Sequence, residues 1–191
     1  MSEKRKAFIV GGIVGIVVAS IGAIISAQMI ENTAEPEFCG SCHEMKPMHE
    51  AWETGPHGPL GNERGAIRAG CADCHLPHTS VVSYLFNKTK FGTNDLMAHF
   101  FKGGYADDLE HWLEKREHRR HYVFVSNCER CHPHLPDNIM HEKLKSGEID
   151  GDCLTCHWYV GHGFDFEQKL REFFSKKTEG GEETAAKAHH E

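Results

Sequence analysis

The chain has 191 residues, a formal net charge of −7 at pH 7 and 39% hydrophobic residues. The acidic balance argues against nucleic acid as a partner, because nucleic-acid binding requires a basic surface. Much of the apolar content lies in the first thirty residues, which leaves the rest of the chain short of side chains for a conventional hydrophobic core.

The first predicted element is a membrane anchor over residues 7–30, a run of 24 residues without a charged side chain. At about 1.5 Å per residue, such a helix spans roughly 36 Å, enough to cross a bilayer. Lysine or arginine at each of positions 4–6 predicts a cytoplasmic N-terminus, with everything after Glu31 on the periplasmic side of a bacterial inner membrane. The alternative is a cleaved signal peptide, with a weak cleavage site at Ser26-Ala27, but the apolar regions of signal peptides are usually shorter.

Small residues recur at every fourth position of this segment and would give the helix one smooth face suited to helix–helix packing. They are Gly11, Gly15, Ala19, Ala23 and Ala27. Although glycine and alanine are common in membrane spans, the pattern indicates a homo-oligomer formed through the anchor.

The pattern Cys-x-x-Cys-His occurs four times after the anchor and uses all eight cysteines. The first cysteines are Cys39, Cys71, Cys128 and Cys153, the second are Cys42, Cys74, Cys131 and Cys156, and the histidines are His43, His75, His132 and His157. This is the attachment signature of c-type haem, in which the thiols form thioethers to the porphyrin and the imidazole binds iron. Because a histidine directly follows every pair, zinc sites and a disulfide framework are disfavoured. We predict four covalent haem c groups.

The four motifs fall into two pairs, each with a spaced histidine between its members. Thirteen residues lie on either side of His57 in the first pair; in the second pair, eight residues precede His141 and eleven follow it. The repetition predicts two di-haem modules.

The expected fold is mainly α with irregular loops: an anchor over residues 1–30, a haem-packed cytochrome c domain over residues 31–175 and a disordered polar tail over residues 176–191.

An electron-transfer haem needs a second axial ligand. Three histidines are placed to serve: His57, His141 and His162. His162 follows His157 by five residues, too few to reach the opposite face of the same haem, so we expect it to serve another haem. The first motif is left without an evident distal histidine, and its Met45 offers a thioether in place of His43 or beside it. Further rivals near the first haem are Met48, His49, His78 and His99.

Two helices are predicted between the motif pairs. The first has an apolar side over residues 81–101 interleaved with polar and charged residues, which suits either the membrane interface or packing on a haem. Gly92 is a candidate break in this helix. The second helix is predicted to begin at Asp107, which forms a capping box with Glu110. Its inward-facing residues are Leu109, Trp112 and Leu113.

These features resemble the NapC/NirT family of membrane-anchored tetrahaem cytochromes c, which includes the NrfH subunits of nitrite reductase complexes. The resemblance extends from the anchor to about His162. The residues that carry it are residues 38–46, His57, the stretch Cys74-His75-Leu76-Pro77-His78 and the pair Gly161-His162.

The resemblance implies a quinol dehydrogenase, which oxidises menaquinol at the membrane face through its first haem and passes electrons to a periplasmic nitrite or nitrate reductase. In NrfH-like members the methionine of Cys-x-x-Cys-His-x-Met binds the first iron and the motif histidine does not, which carries over to Met45 and His43. A lysine and an aspartate seven residues apart lie beside the first haem and the quinol in that subgroup; Lys88 and Asp95 match this spacing. Unlike some NrfH-like members, this chain also has His141.

Lys88 and Asp95 suit a quinol-oxidising site. Quinol oxidation releases two protons with two electrons and therefore needs a group that accepts or relays protons. Lys88 and Asp95 share a helix face if the helix continues through Gly92. Alternatively, Lys88 snorkels from an interfacial helix and Asp95 caps a helix.

Three other functions compete with quinol oxidation: electron delivery into the quinone pool, an electron wire without a quinone site, and a reductase whose open haem binds a small ligand such as nitrite.

A pyridine haemochrome assay is expected to count four haems per chain, one for each motif. Without haem attachment the chain should fail to fold, because its own apolar side chains are too few to form a core. Any other haem count would contradict the assignment of all eight cysteines.

Overall fold

A computed structural model describes residues 2–61, 68–101 and 109–175. Within these residues there is no strand, which confirms the prediction of a mainly α fold. The helices are α1 (Glu3–Asn32), α2 (Pro36–Gly40), α3 (Lys46–Glu53), α4 (Cys71–His75), α5 (Val81–Phe101), α6 (Leu109–Glu117), α7 (Val125–Cys131), α8 (Ile139–Lys145), α9 (Cys153–Cys156) and α10, over residues 166–175. The predicted cap at Asp107 and the predicted tail over residues 176–191 lie outside the described residues.

The longest helix, α1, contains the predicted anchor. Its 30 residues include no proline, so the backbone hydrogen-bond ladder is uninterrupted. The helix ends at Asn32, and the hydroxyl of the next residue, Thr33, donates to the Met29 carbonyl oxygen at 2.7 Å. None of the α1 residues is buried against the rest of the protein. Among the described residues, α1 is the one helix whose length and composition allow it to cross a membrane.

The four haem-attachment motifs form a row in chain order, each beginning within a short helix. Helix α2 contacts α4, α4 contacts α7, and α7 contacts α9. A charge pair joins the middle of the row, because Arg130 of the third motif donates through Nη2 to Asp73 Oδ1 of the second motif at 2.7 Å. The two predicted di-haem pairs are therefore consecutive parts of one row.

Polar contacts orient the motif helices. Asn127 of α7 is 6% exposed; its Nδ2 donates to the Leu76 carbonyl oxygen at 2.7 Å, and its Oδ1 accepts from the His78 N–H at 3.2 Å. Asp152 caps the start of α9 with its side chain, and Arg120 binds the same carboxylate through two hydrogen bonds of 2.9 and 3.0 Å. Because two-point arginine–carboxylate contacts fix direction as well as distance, the fourth motif has a defined orientation.

A small hydrophobic cluster packs α3 against α10. It consists of Ala51, Phe166, Leu170 and Phe174. Three residues of α6 pack against this cluster, which confirms their predicted inward direction: Leu109, Trp112 and Leu113. The cluster is small for a chain of this length, as expected if bound haems supply much of the apolar volume.

Helix α5 runs without interruption from Val81 to Phe101, so Gly92 does not break it. The uninterrupted helix places Lys88 and Asp95, seven residues apart, on one side. Many apolar side chains of α5 face outwards. Those at 66–78% exposure are Val81, Val82, Phe86, Phe100 and Phe101.

Replacing Leu170 by alanine is expected to lower the free energy of unfolding of the haem-loaded protein by about 2–5 kcal/mol, because Leu170 is fully buried and its loss leaves a cavity. The measurement is a denaturant titration followed by far-UV circular dichroism. The control is Leu60→Ala, since Leu60 is 69% exposed and surface changes usually stay within about 0.5 kcal/mol. Equal effects of the two substitutions would contradict the assignment of the core.

Candidate haem centres and the residues around the first motif

All eight cysteines are unpaired thiols. The row of motif helices nevertheless brings thiols of different motifs together: Cys71 hydrogen-bonds to Cys39, and Cys128 hydrogen-bonds to Cys153. The hydrogen bond with Cys39 and burial raise the pKa of Cys71 above its ordinary value. Free thiols are the form that reacts to make the thioether bonds of haem attachment.

Each of the three predicted distal histidines faces a motif histidine. The distances between ring centroids are 6.2 Å for His57 and His132, 6.3 Å for His75 and His162, and 6.2 Å for His141 and His157. A metal–imidazole bond is about 2.0 Å long and a ring nitrogen lies about 1.1 Å from the ring centre, so two imidazoles on opposite sides of one metal ion have centroids about 6.2 Å apart. The three separations fit a single iron between the members of each pair.

Four of these six histidines are oriented through their Nδ1 atoms, each within hydrogen-bond distance of a backbone carbonyl oxygen. The carbonyl groups are Val160 for His57 (2.9 Å), Tyr122 for His75 (2.8 Å), Pro136 for His141 (2.8 Å) and Met48 for His162 (3.0 Å). When Nδ1–H donates to a carbonyl, Nε2 is the nitrogen that remains for a metal. Burial lowers the pKa of His162 to about 4 and also lowers the pKa of His75, so both rings are neutral at pH 7, the form that ligates metal.

Local packing explains how segments distant in sequence bring His57 and His162 into the site. A Cβ atom on Gly55 would collide with the carbonyl oxygen of Gly161, so the two segments approach this closely because position 55 is glycine. The His162 ring also stacks on Phe166 at 4.8 Å between centroids. Phe166, at the start of α10, therefore packs against one face of the His162 imidazole.

The first motif differs from the other three. The His43 ring faces His99, with centroids 5.7 Å apart, and both rings contact the carboxylate of Glu44 through Nδ1. None of the predicted distal histidines faces His43, while Met45 is half-buried at the start of α3.

The other rivals for the first haem have different surroundings. Met48 packs against the hydrophobic cluster of α3 and α10. The His49 ring lies against Gly40, where a Cβ atom would meet it. The Nε2 atom of His78 lies 3.3 Å from the carbonyl oxygen of Ala72.

Lys88 and Asp95 both lie near the first motif. Lys88 donates through Nζ to the carbonyl oxygen of Ile30, at the end of the predicted span, at 2.8 Å. The hydrogen bond with Cys71 chiefly lowers the pKa of the Cys39 thiol to about 7; the Lys88 charge adds to this lowering and the Asp95 charge opposes it. Desolvation lowers the pKa of Lys88 and raises the pKa of Asp95. The hydrogen bond from Lys88 to Ile30 has no signal in the sequence pattern.

Two buried nitrogen atoms, His49 Nε2 and Arg119 Nε, have no hydrogen-bond partner among the described residues. Buried polar groups are ordinarily paired. Arg119 also reaches the fourth motif, because its Nη2 lies 3.4 Å from the Leu154 carbonyl oxygen. Both positions therefore fit a bound group that carries acceptor oxygens, as the propionates of haem do. Sequence reasoning missed Arg119, since nothing distinguishes it from the neighbouring basic residues.

Residues 1–167 match the model of the NapC/NirT cytochrome c family, N-terminal region. The chain is 28% identical over 179 residues to the cytochrome c-type protein TorY of Escherichia coli O157:H7, covering 85% of this chain and 46% of TorY. It is 28% identical over 172 residues to the tetraheme c-type cytochrome CymA of Shewanella oneidensis, covering 80% of this chain and 88% of CymA. The chain thus spans about half the length of TorY and most of CymA.

The fold is similar to that of a chain in the crystal structure of the cytochrome c nitrite reductase NrfHA complex bound to the HQNO inhibitor. The TM-score is 0.54 and the identity 24%, and the likeness covers 79% of this chain and 89% of that chain. At this identity the likeness concerns the fold alone.

Replacing His162 by alanine is expected to convert one of the four haems from low spin to high spin, because the His75–His162 pair loses one imidazole. Electron paramagnetic resonance of the oxidised protein measures the change. His162→Met keeps a ligand and should instead raise the potential of one haem. His134→Ala, at an exposed histidine, is the control and should leave the spectrum unchanged. A spectrum unaltered in His162→Ala would assign the ligand elsewhere.

Proposed function

The chain belongs to the NapC/NirT cytochrome c family, and from this membership we propose that it is a membrane-anchored tetrahaem quinol dehydrogenase. It oxidises menaquinol at the outer face of the bacterial inner membrane and delivers the electrons to a periplasmic reductase of the nitrite or nitrate type. In this proposal α1 crosses the membrane once, with the N-terminus in the cytoplasm and the haem domain in the periplasm.

The observation that carries the proposal is the hydrogen bond from Lys88 Nζ to the Ile30 carbonyl oxygen at 2.8 Å. Ile30 is the last residue of the uncharged segment, so the bond supports a position of Lys88 near the end of the proposed membrane span. The charges of Lys88 and Asp95 also reach Cys39 of the first motif. One region therefore contains the end of the membrane span, the first haem-attachment site and two groups suited to proton chemistry.

A quinol dissolved in the bilayer needs a site that opens towards lipid. Helix α5, which carries Lys88 and Asp95, also exposes large apolar side chains to 66–78% near both of its ends. Because Lys88 fixes this helix to the end of α1, the apolar residues lie where they can enter the interfacial layer of the membrane. This supports entry of the quinol from the lipid phase beside α5.

Asp95 is the proposed proton acceptor. Its pKa is raised by desolvation, which brings its proton affinity nearer to that of a general base working at neutral pH. Lys88 is the proposed hydrogen-bond donor to a quinol oxygen; desolvation lowers its pKa. The four covalently bound haems would supply the one-electron redox chemistry that the side chains lack.

The ring geometry supports a set of axial ligands. We assign His132 and His57, His75 and His162, and His157 and His141 as the three pairs, supported by their centroid separations of 6.2–6.3 Å. Met45 is the proposed ligand of the first iron, with His43 turned away. The contact between the His43 Nδ1 atom and Glu44 supports this, and the His43 side chain is 62% exposed.

The reductase partner is proposed from membership of the NapC/NirT cytochrome c family. The small-residue face of α1 remains the proposed surface for a homo-oligomer; a Cβ atom added at Gly11 or Gly15 would meet nothing within 4 Å. Close packing of a second α1 helix against this face is therefore sterically open.

Replacing Asp95 by asparagine is expected to slow reduction by a menaquinol analogue about 100-fold, the scale of a lost general base, while reduction by dithionite stays unchanged. The measurement is stopped-flow absorbance of the oxidised, detergent-solubilised protein. The matched control is Asp137→Asn, because Asp137 is an exposed aspartate beyond the third motif.

The outcomes separate the competing functions. If wild-type protein is not reduced by the quinol at all, the protein is an electron wire and the proposal fails. If Asp95→Asn and Asp137→Asn behave alike while the wild type reacts, the quinol site lies elsewhere. Raising the pH should speed the wild-type reaction as Asp95 loses its proton, because the protonated carboxyl cannot accept another.

A further inference from the structure

We propose that His43, Glu44 and His99 form a binding site for a divalent transition-metal ion such as Zn²⁺. The site would be separate from the four irons. It rests on the proposed function in one respect, because the His43 imidazole is free for this role only if Met45 ligates the first iron.

The three side chains already converge. Their ligand atoms all lie within 4.8 Å of one another. His99 Nδ1 is 2.6 Å from Glu44 Oε1, and His43 Nδ1 is 3.2 Å from Glu44 Oε2. Both imidazoles therefore direct Nδ1 at one carboxylate, and small outward movements of the rings would make room for an ion between them.

The donor set matches zinc. Two imidazole nitrogens and one carboxylate oxygen, with a fourth position for water, are the ligands of many zinc sites. Imidazole also suits copper and nickel, whereas calcium and magnesium prefer sites made of oxygen atoms. The combination of two histidines and one glutamate therefore selects a transition metal.

The site is accessible to an ion from solvent. The Glu44 side chain is only 10% exposed, whereas the His43 and His99 side chains are 62% and 44% exposed. An ion would approach from solvent through the histidines and find the carboxylate behind them. Because a buried carboxylate is poorly hydrated, neutralising its charge with a cation is more favourable there than at an open surface.

The three ligands come from two separate parts of the chain, so a bound ion would connect them. His43 and Glu44 belong to the first motif, and His99 lies in the last turns of α5, four residues after Asp95. Residues four apart are neighbours on one helix face. A metal ion would clamp α5 to the first motif and place positive charge one turn from the proposed proton acceptor. Zinc should therefore inhibit quinol-driven reduction and leave dithionite reduction unaffected.

The test is zinc binding to the oxidised, haem-loaded protein in detergent. Isothermal titration calorimetry measures the affinity and the number of sites, and zinc X-ray absorption identifies the ligands. We expect one site with two nitrogen ligands and one carboxylate oxygen from the protein. Glu44→Gln and His99→Ala should each weaken binding at least about tenfold, since losing even an outer-shell partner has an effect of that size. The matched controls are His118→Ala, at an exposed histidine, and the double variant His189→Ala/His190→Ala, and both should bind as the wild type does.

Two results would overturn the site: no zinc binding by the wild type, or binding unchanged in Glu44→Gln and His99→Ala. An absorption spectrum with a single nitrogen ligand would also overturn it, because His43 would then be held elsewhere. The binding measurements do not depend on quinol oxidation. A protein that binds zinc with the expected ligands but is not reduced by quinol would retain this site and lose the proposed function.

Discussion

The structure depends on imidazole rings that face each other across long stretches of sequence. His57 lies opposite His132, and His75 lies opposite His162, at the separation that one metal ion between two rings requires. Each pair joins the first half of the domain to the second. With so small a hydrophobic cluster, these cross-connections and the haems they would hold are the main constraint that keeps a loop-rich chain in one fold. The row of motif helices is compatible with the same constraint, because it brings His57 to the third motif and His162 to the second.

The first motif lies at the membrane end of this row. It is the motif nearest in sequence to α1, and Lys88 connects α5 to the end of the membrane span. The other three motif histidines each face a predicted distal histidine, whereas His43 faces His99 and both of these rings contact the Glu44 carboxylate. If the first haem has the different ligand set proposed for it, three similar sites lead away from it along the row, an arrangement that suits entry of electrons at one end and exit at the other.

Much of this could be predicted from the sequence, because the signals are local. A charge-free run and Cys-x-x-Cys-His are properties of consecutive residues. The scarcity of apolar side chains outside the anchor favoured short helices and loops, in agreement with the lack of strands among the described residues. The pairing of distal with motif histidines could not be predicted: any of His57, His141 and His162 could serve several haems until the chain path was known. The continuation of α5 through Gly92 was equally open, since helix propensity lowers but does not forbid glycine. The contacts of Lys88 with Ile30 and of His99 with Glu44 span more than fifty residues and leave no periodic pattern.

The central claim is that three haems have two histidine ligands each and that the first haem does not. Near-infrared magnetic circular dichroism of the oxidised wild-type protein tests this most directly, because it distinguishes axial-ligand sets in one sample. We expect three haems of the bis-histidine type and a fourth whose ligation differs. Four identical bis-histidine haems would contradict it, since His43 would then have to bind iron and the first motif would lose its distinct character.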